Sequence, residues 1–417
     1  MMIIISFVLI LICSLFTLFL RYMARNNTYW KQQGINYIKP KPIFGNIFDI
    51  VLCRISIGGL IRKFYEEHSE HYIGFFMFDQ PCLLVNDLEL IKQILVEDFK
   101  YFQGRTFARN HKDDPIGSKL LFFAGLPWRK MRKDMSAVFT PSKLKQQANL
   151  LPGENTKLID ALKQTLSEGK NVLNVKDFTD KHTVNTISSA YFSIEGNSFK
   201  NQNSPMLEIF GRILHYKALW NIYQLTYMII CPKLYKLLGM RFVDAFSTSF
   251  LRKLTWDLLD EREKSNFENN DCIDVLLNLK RKEDIKECTS IGADFLAGHV
   301  CQVFVAGYET SSTTISYALF ELAKNPKHQN LARHEATTVM KTYGKFTYEN
   351  VMAMKHITNC LLGKRFGMYS SIVTLAYLLL HFEMRLPEGY PTNIEFSNRG
   401  FLLEPNEGVY LKFSELK

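Results

Sequence analysis

Apolar positions recur at helical spacing through most of this chain, and the pattern is densest from Gln302 to Pro326, QVFVAGYETSSTTISYALFELAKNP. Phe295, Leu296, Val300 and Val303 lead into it and Ile315, Ala318, Leu319 and Leu322 close it, which predicts one long buried helix ended by Asn325-Pro326. Its middle is unusual. Gly307 is about 1 kcal/mol less favourable there than Ala. The hydroxyl run Thr310, Ser311, Ser312, Thr313, Thr314 competes with the backbone ladder and predicts a local bend. A buried helix that tolerates both implies close approach of another group to its backbone. A core helix with satisfied hydroxyls is the plainer alternative.

Elsewhere the pattern is again mostly helical. Ile61 to His68 reads as a short helix, Tyr72 to Phe78 and Pro81 to Val85 as two strands broken at Asp79-Gln80, and Asp87 as the cap of a helix reaching about Glu97. No other convincing strand precedes the C-terminal end. Asp113-Asp114-Pro115 marks a turn before the apolar run Leu120 to Phe123. A helix then opens with Trp128-Arg129-Lys130-Met131-Arg132-Lys133, in which Trp128 and Arg132 share a face. Helices are predicted over Leu150 to Leu166, Val175 to Phe192, Ile273 to Leu279 and Pro326 to Tyr343, the last stopped by Gly344, with Thr347 capping the next. Met368, Ile372, Leu375, Leu379 and Phe382 mark one buried face of a further helix. A hairpin is predicted at Glu404 to Gly408, between Phe401 to Leu403 and Val409 to Phe413. The fold class is mainly α with small β-sheets (α+β).

The N-terminus adds a compartment. Met2 to Leu20 is apolar, free of charge and long enough to span a bilayer. Arg21, Arg25, Lys31, Lys39 and Lys41 all follow it, which predicts a signal anchor with the globule in the cytosol. The alternative, a cleaved signal peptide, lacks its basic leading region. Pro40, Pro42 and Gly45 then form a stiff hinge, so the chain divides into residues 1–22 (anchor), 23–46 (hinge) and 47–417 (globule). The stretch from His215 to Leu238, with Trp220, Tyr223, Tyr227 and Met228, is either core or a patch dipping into the lipid interface.

Composition narrows the function. A net charge of +10 suits an anionic membrane surface, an acidic protein or nucleic acid. Nucleic acid ranks last, because no basic run is interleaved with aromatics and no zinc-finger spacing occurs. Eight cysteines without a Cys-x-x-Cys pair fit reduced thiols on the cytosolic side. A Trp with an Arg one helical turn on can grip an anion through the indole N–H and the guanidinium; a solvated basic face is the other reading of that helix.

The anchor, the Pro hinge, Trp128-x-x-x-Arg132, Ala306-Gly307-x-Glu309-Thr310 and Arg365-Phe366-Gly367 follow one another in an order that resembles the microsomal cytochrome P-450 family, haem-thiolate monooxygenases, of the insect xenobiotic-metabolising type. The resemblance implies the cytochrome P-450 fold and a haem whose distal face lies under the long helix. It implies that Ala306 and Gly307 border the haem and that Gly307 and Thr310 hold dioxygen at a kink. Glu309 and Thr310 would be the acid and alcohol of proton delivery, and Trp128 and Arg132 would bind a propionate. A pocket for an apolar small molecule would be lined by the loop around Phe107 and Phe122 and by the aromatic stretch after His215. Electrons would come from an NADPH-cytochrome reductase, at the endoplasmic reticulum membrane.

The proximal half departs from that pattern. The family's Glu-x-x-Arg pair, its aromatic-Pro-Glu-Arg-Phe region and its Phe-x-x-Gly-x-Arg-x-Cys-x-Gly loop are absent from MKHITNCLLGKRFG. Counting back from Gly363, the cysteine slot falls on Leu361, and Cys360 stands one residue early. Cys360 is therefore either the axial haem ligand or a junction thiol. An internal deletion near 360–362, in a chain otherwise matching the family, accounts for both intact flanks. Two functions follow: a monooxygenase, impaired in this chain, or a membrane-anchored remnant without stable haem.

Overall fold

The computed structural model describes residues 2–104, 112–117, 125–200, 204–214, 227–228, 232–265, 267–286, 291–359, 366–398 and 404–416. These form two compact units. The first comprises residues 1–110, 216–240 and 397–403, and the second residues 111–215, 241–396 and 404–417.

The first unit begins with the helix Met2–Ala24, of which Ile4–Tyr22 is long and apolar enough to cross a membrane by length and composition. The two predicted strands are present, β1 (Tyr72–Met77) and β2 (Gln80–Val85), paired antiparallel with Met77 opposite Gln80. The helix Ile57–Glu67 starts four residues earlier than the apolar pattern suggests, because Ser56 caps it by accepting from Gly59 N–H at 3.1 Å. Its Leu60 and Phe64 join Ile47, Ile50 and Phe75 in a small core. The segment before the helix Phe48–Val51 is tied to β1: Trp30 Nε1 donates to the Phe75 carbonyl at 3.0 Å, and Asn46 Oδ1 accepts from Phe76 N–H at 2.8 Å. Gly45 sits between them with φ +60, where a Cβ would fall 2.5 Å from the Phe76 carbonyl oxygen, so only glycine fits. Asp87 caps the helix Leu88–Lys92, as predicted, through Leu90 N–H at 2.8 Å.

The second unit is helical, with one sheet. Its axis is the long helix Ile291–Lys324, 34 residues without a break, which packs most extensively against the helix Val175–Phe192. The mid-helix hydroxyls do not interrupt it. Thr310, Thr314 and Ser316 each donate to the carbonyl four residues back, at 2.7 to 2.8 Å, so the competition expected of them is spent within the helix itself. The helices Leu151–Ser167, Ala245–Ser265, Cys272–Lys282, Pro326–Tyr343 and Phe366–His381 complete the layers around it. Asn325 and Gly344 bound Pro326–Tyr343 as predicted, and Thr347 with Asn350 forms a capping box on the next helix.

The sheet of the second unit corrects the sequence expectation. Its order is β3 (Val172–Asn174), β5 (Tyr410–Glu415), β4 (Phe382–Arg385), all antiparallel. Val172–Asn174 was not expected as a strand, being only three residues long with no alternation of its own. Phe382, expected to end the buried helix face, instead opens β4, and its ring packs edge-on against Phe413 of β5. The C-terminal strand is thus held between two sequence-distant strands; the expected hairpin arm, residues 401–403, lies outside the described residues.

Candidate functional site

The long helix carries a stripe of residues at spacings of three and four: Phe295, His299, Gln302, Ala306, Thr310, Thr313 and Tyr317. Ala306 and Thr310 at its centre are exposed, and Gly307, Thr313 and Thr314 beside them are half-buried, whereas Val303, Phe304, Tyr308, Ser312, Ile315 and Ser316 on the other faces are buried. An open strip of small and hydroxylated side chains in the middle of a core helix can accept a flat, largely apolar group. The Thr310 hydroxyl donates to the Ala306 carbonyl at 2.7 Å, which leaves its oxygen lone pairs facing the strip.

Gly307 serves a neighbour on its other side. A Cβ there would stand 2.7 Å from Ile187 Cδ1 on the helix Val175–Phe192, so part of the close approach that its sequence signal implied is made by that helix.

Glu309 and Thr310 are adjacent in sequence and lie in different surroundings, about 100° apart around the helix. Glu309 is 1% exposed and turned toward the helix Val175–Phe192. There its Oε2 accepts from Lys176 Nζ at 3.0 Å, and its Oε1 accepts from Thr313 Oγ1 at 2.9 Å. Lys176 also donates to Asp180 and to Ser312 Oγ, the latter at 3.1 Å, and lies 5.3 Å from the centre of the Tyr308 ring. Burial, with Asp180 and Glu309 near, pushes the Tyr308 phenol far above its ordinary range, so it stays protonated. Thr179 closes the network through Ser312 at 2.9 Å and Ser316 at 3.0 Å. Thr313 is the link between the two surroundings: its hydroxyl holds Glu309, and its position is on the open strip.

The helix Phe366–His381 reaches the same place from another side. A Cβ added at Gly367 near its start would lie 3.8 Å from Ser311 Oγ, and Thr374 within it bonds His182 Nε2 at 2.8 Å. Burial lowers His182 to about 4, so the ring is neutral at this contact.

The remaining expected site residues are placed as follows. Arg132 lies on the helix Gly125–Ser136 with an exposed side chain, and Trp128 is on the same helix with its side chain outside the described residues. Cys360 lies outside the described residues, as do Phe107, Phe122 and Trp220. Among the described residues, no group of three His, Cys, Asp or Glu side chains could hold a metal ion. Sequence reasoning missed Lys176 and Asp180, whose spacing of four on a helix reads equally well as a surface ion pair. It also missed Asp114, which was read only as part of a turn. Asp114 is 2% exposed and joins two segments, accepting from Gly117 N–H at 2.9 Å and from Phe242 N–H at 2.7 Å.

Comparison with known proteins gives a consistent result. The profile of the cytochrome P450 family matches residues 36–362. The chain is 33% identical over 368 residues to cytochrome P450 6k1 of Blattella germanica, covering 84% of this chain and 70% of that one. It is 31% identical over 369 residues to cytochrome P450 6a8 of Drosophila melanogaster, covering 85% and 71%. It is 30% identical over 361 residues to cytochrome P450 6A1 of Musca domestica, covering 85% and 70%.

Proposed function

Because this chain belongs to the cytochrome P450 family of haem monooxygenases, we propose that it oxygenates apolar small molecules, such as xenobiotics, hormones or lipids, along the open strip of the long helix. The observation that carries the reading is the exposure of Ala306 and Thr310 in a helix otherwise committed to the core. Such a strip fits the distal face of a haem: its side chains are small, and it presents a hydroxyl rather than a bulky ring. Haem, when bound, supplies the iron at which dioxygen is activated.

The chain's own residues supply the setting. Ala306 and Gly307 leave room above the macrocycle, and the Thr310 hydroxyl holds a proton at the strip by exchanging its bond to the Ala306 carbonyl for one to a ligand. The Glu309 carboxylate relays a proton: it takes one from the Lys176 ammonium that bonds its Oε2 and passes it to Thr313 Oγ1 rather than directly to Thr310. Thr313 Oγ1 then releases its own hydroxyl proton to the strip. Trp128 and Arg132 hold a propionate, and Cys360, one residue out of register with the family's cysteine slot, is at best a weak thiolate ligand to the iron. The helix Met2–Ala24 anchors the globule to the endoplasmic reticulum membrane, with electrons from an NADPH-cytochrome reductase whose acidic face suits the net charge of +10.

Retention of haem depends on the proximal side. The family match stops at residue 362, beside the place where the proximal motifs are absent from the sequence. An internal deletion near 360–362 leaves the proximal side short and the activity impaired, and the same observation favours a second reading, a membrane-anchored remnant without stable haem. Reconstitution of the full chain with added haem, the reductase, NADPH and an alkoxy-aromatic probe separates the two. Product whose yield rises with added haem supports the monooxygenase. No product at saturating haem supports the remnant.

A further inference from the structure

Two turns from Ala306 toward the helix start, on the same stripe, stands His299. Its side chain is 0% exposed, its ring lies 4.4 Å from that of Phe295, and neither ring nitrogen has a hydrogen-bond partner among the described residues. Gln302, one turn closer to Ala306, likewise has its side-chain carbonyl oxygen buried without a partner among the described residues. At 1.5 Å rise per residue, the two polar groups lie roughly 10 Å and 6 Å along the helix from Ala306. That is the distance a small ligand spans between the reacting strip and its far end.

An orphaned buried polar atom is costly, and an apolar residue of the same shape would be the better choice for a purely structural position. Two such residues, at i and i+3 and facing the same way as the strip, imply a partner in the functional state. Burial lowers His299 to about 4, so the ring is neutral and offers one N–H donor and one acceptor.

We propose that His299 and Gln302 form a polar recognition point for a hydroxyl group on an otherwise apolar substrate. The hydroxyl donates to the Gln302 carbonyl oxygen and accepts from the His299 N–H, while the apolar body of the ligand extends over Ala306 toward Thr310. The substrates singled out are therefore alcohols and phenols with one hydroxyl far from the oxygenated carbon. This rests on the reading of the strip as the substrate face, and adds to it which apolar molecules are preferred.

The test uses the full chain in detergent and two fluorescent probes of matched size, 2-naphthol and 2-methylnaphthalene, with affinity measured by titration; it requires no turnover. In His299→Leu and in Gln302→Leu the ratio of naphthol to methylnaphthalene affinity falls about tenfold from that of the unaltered chain, the size of one lost hydrogen bond to a buried site. Methylnaphthalene affinity itself stays within about twofold. His299→Leu is also more resistant to denaturant, since it removes two orphaned atoms. An unchanged affinity ratio in both variants overturns the inference and leaves the apolar substrate face standing, with bridging water then the partner of these atoms. Failure of either probe to bind the unaltered chain overturns the substrate face itself, and the inference with it.

Discussion

Lys176 Nζ lies 3.0 Å from Glu309 Oε2, and that bond ties the acidic residue of the long helix to the neighbouring helix Val175–Phe192 rather than to Thr310 beside it. The pair is little exposed, 16% for Lys176 and 1% for Glu309. Removing one partner of such a pair leaves a charge without compensation, which typically costs about 3 kcal/mol. Lys176→Met should lower stability by roughly that amount, while the double variant Lys176→Met with Glu309→Leu should recover only part of it, because Asp180 then still lacks its lysine partner. Denaturant unfolding of the three proteins checks the sign. A Lys176→Met chain as stable as the parent would mean that packing and the hydrogen bonds of Thr179 to Ser312 and Ser316 hold the two helices without the ion pair.

Gly307 faces Ile187 so closely that helix propensity and packing oppose one another. Alanine gains about 1 kcal/mol in the helix, but its Cβ would stand 2.7 Å from Ile187 Cδ1, and overpacking of this kind costs about 1 to 3 kcal/mol. Gly307→Ala should therefore destabilise by about 1 kcal/mol. In an Ile187→Val background, which removes Cδ1, the same substitution should become neutral or stabilising. A common sign in both backgrounds would show that Ile187 is not what requires glycine.

Thr310 and Glu309 should separate in their effects. Thr310→Val removes a hydroxyl at constant shape from an exposed position, so stability should change by no more than about 0.5 kcal/mol. In the reconstituted system it should nevertheless raise the fraction of NADPH consumed without product. Glu309→Gln should lower both stability and turnover, because its carboxylate is bonded by Lys176 and Thr313. Equal stability losses in the two variants would contradict the placement of Thr310 on the open face.

Three buried groups set a pH dependence. His182 and His299 are lowered by burial to about 4 from 6.5, so the folded chain binds fewer protons there than the unfolded chain, and their contribution is lost as pH falls from 6.5 toward 4. Asp114 is raised by burial to about 6 from 3.8, against the pull of its backbone hydrogen bonds, so its effect runs the other way, gaining as pH falls from 6 to 4. Two histidines outweigh one aspartate, and the three together should weaken the fold on acidification by roughly 3 kcal/mol. Unfolding midpoints between pH 4 and 7 should flatten in His299→Leu and steepen in Asp114→Asn.

The legible parts of the fold were those with strong local signals. The long helix, the β1–β2 pair and the Thr347 cap rest on periodicity, a break between apolar runs and a capping residue, all written within a few residues of one another. Of the sheet of β3, β5 and β4 only the middle strand was legible, at Val409 to Phe413, because Val172–Asn174 and Phe382–Arg385 become strands only by pairing with Tyr410–Glu415, distant in sequence. The same holds for the site. Glu309 and Thr310 stand out as a motif, but their different surroundings, about 100° apart around the helix, become apparent only with Lys176, which sits on a separate helix and carries no mark distinguishing it from a surface lysine.

The proposed pairing of an open distal strip with a shortened proximal side is tested by the carbon monoxide difference spectrum of the reduced, haem-supplemented full chain. The account predicts substoichiometric haem, with little or none of the absorption band of a thiolate-ligated haem. A full-strength thiolate band at one haem per chain would contradict it, showing that Cys360 holds the iron and that the proximal side is sufficient as it stands.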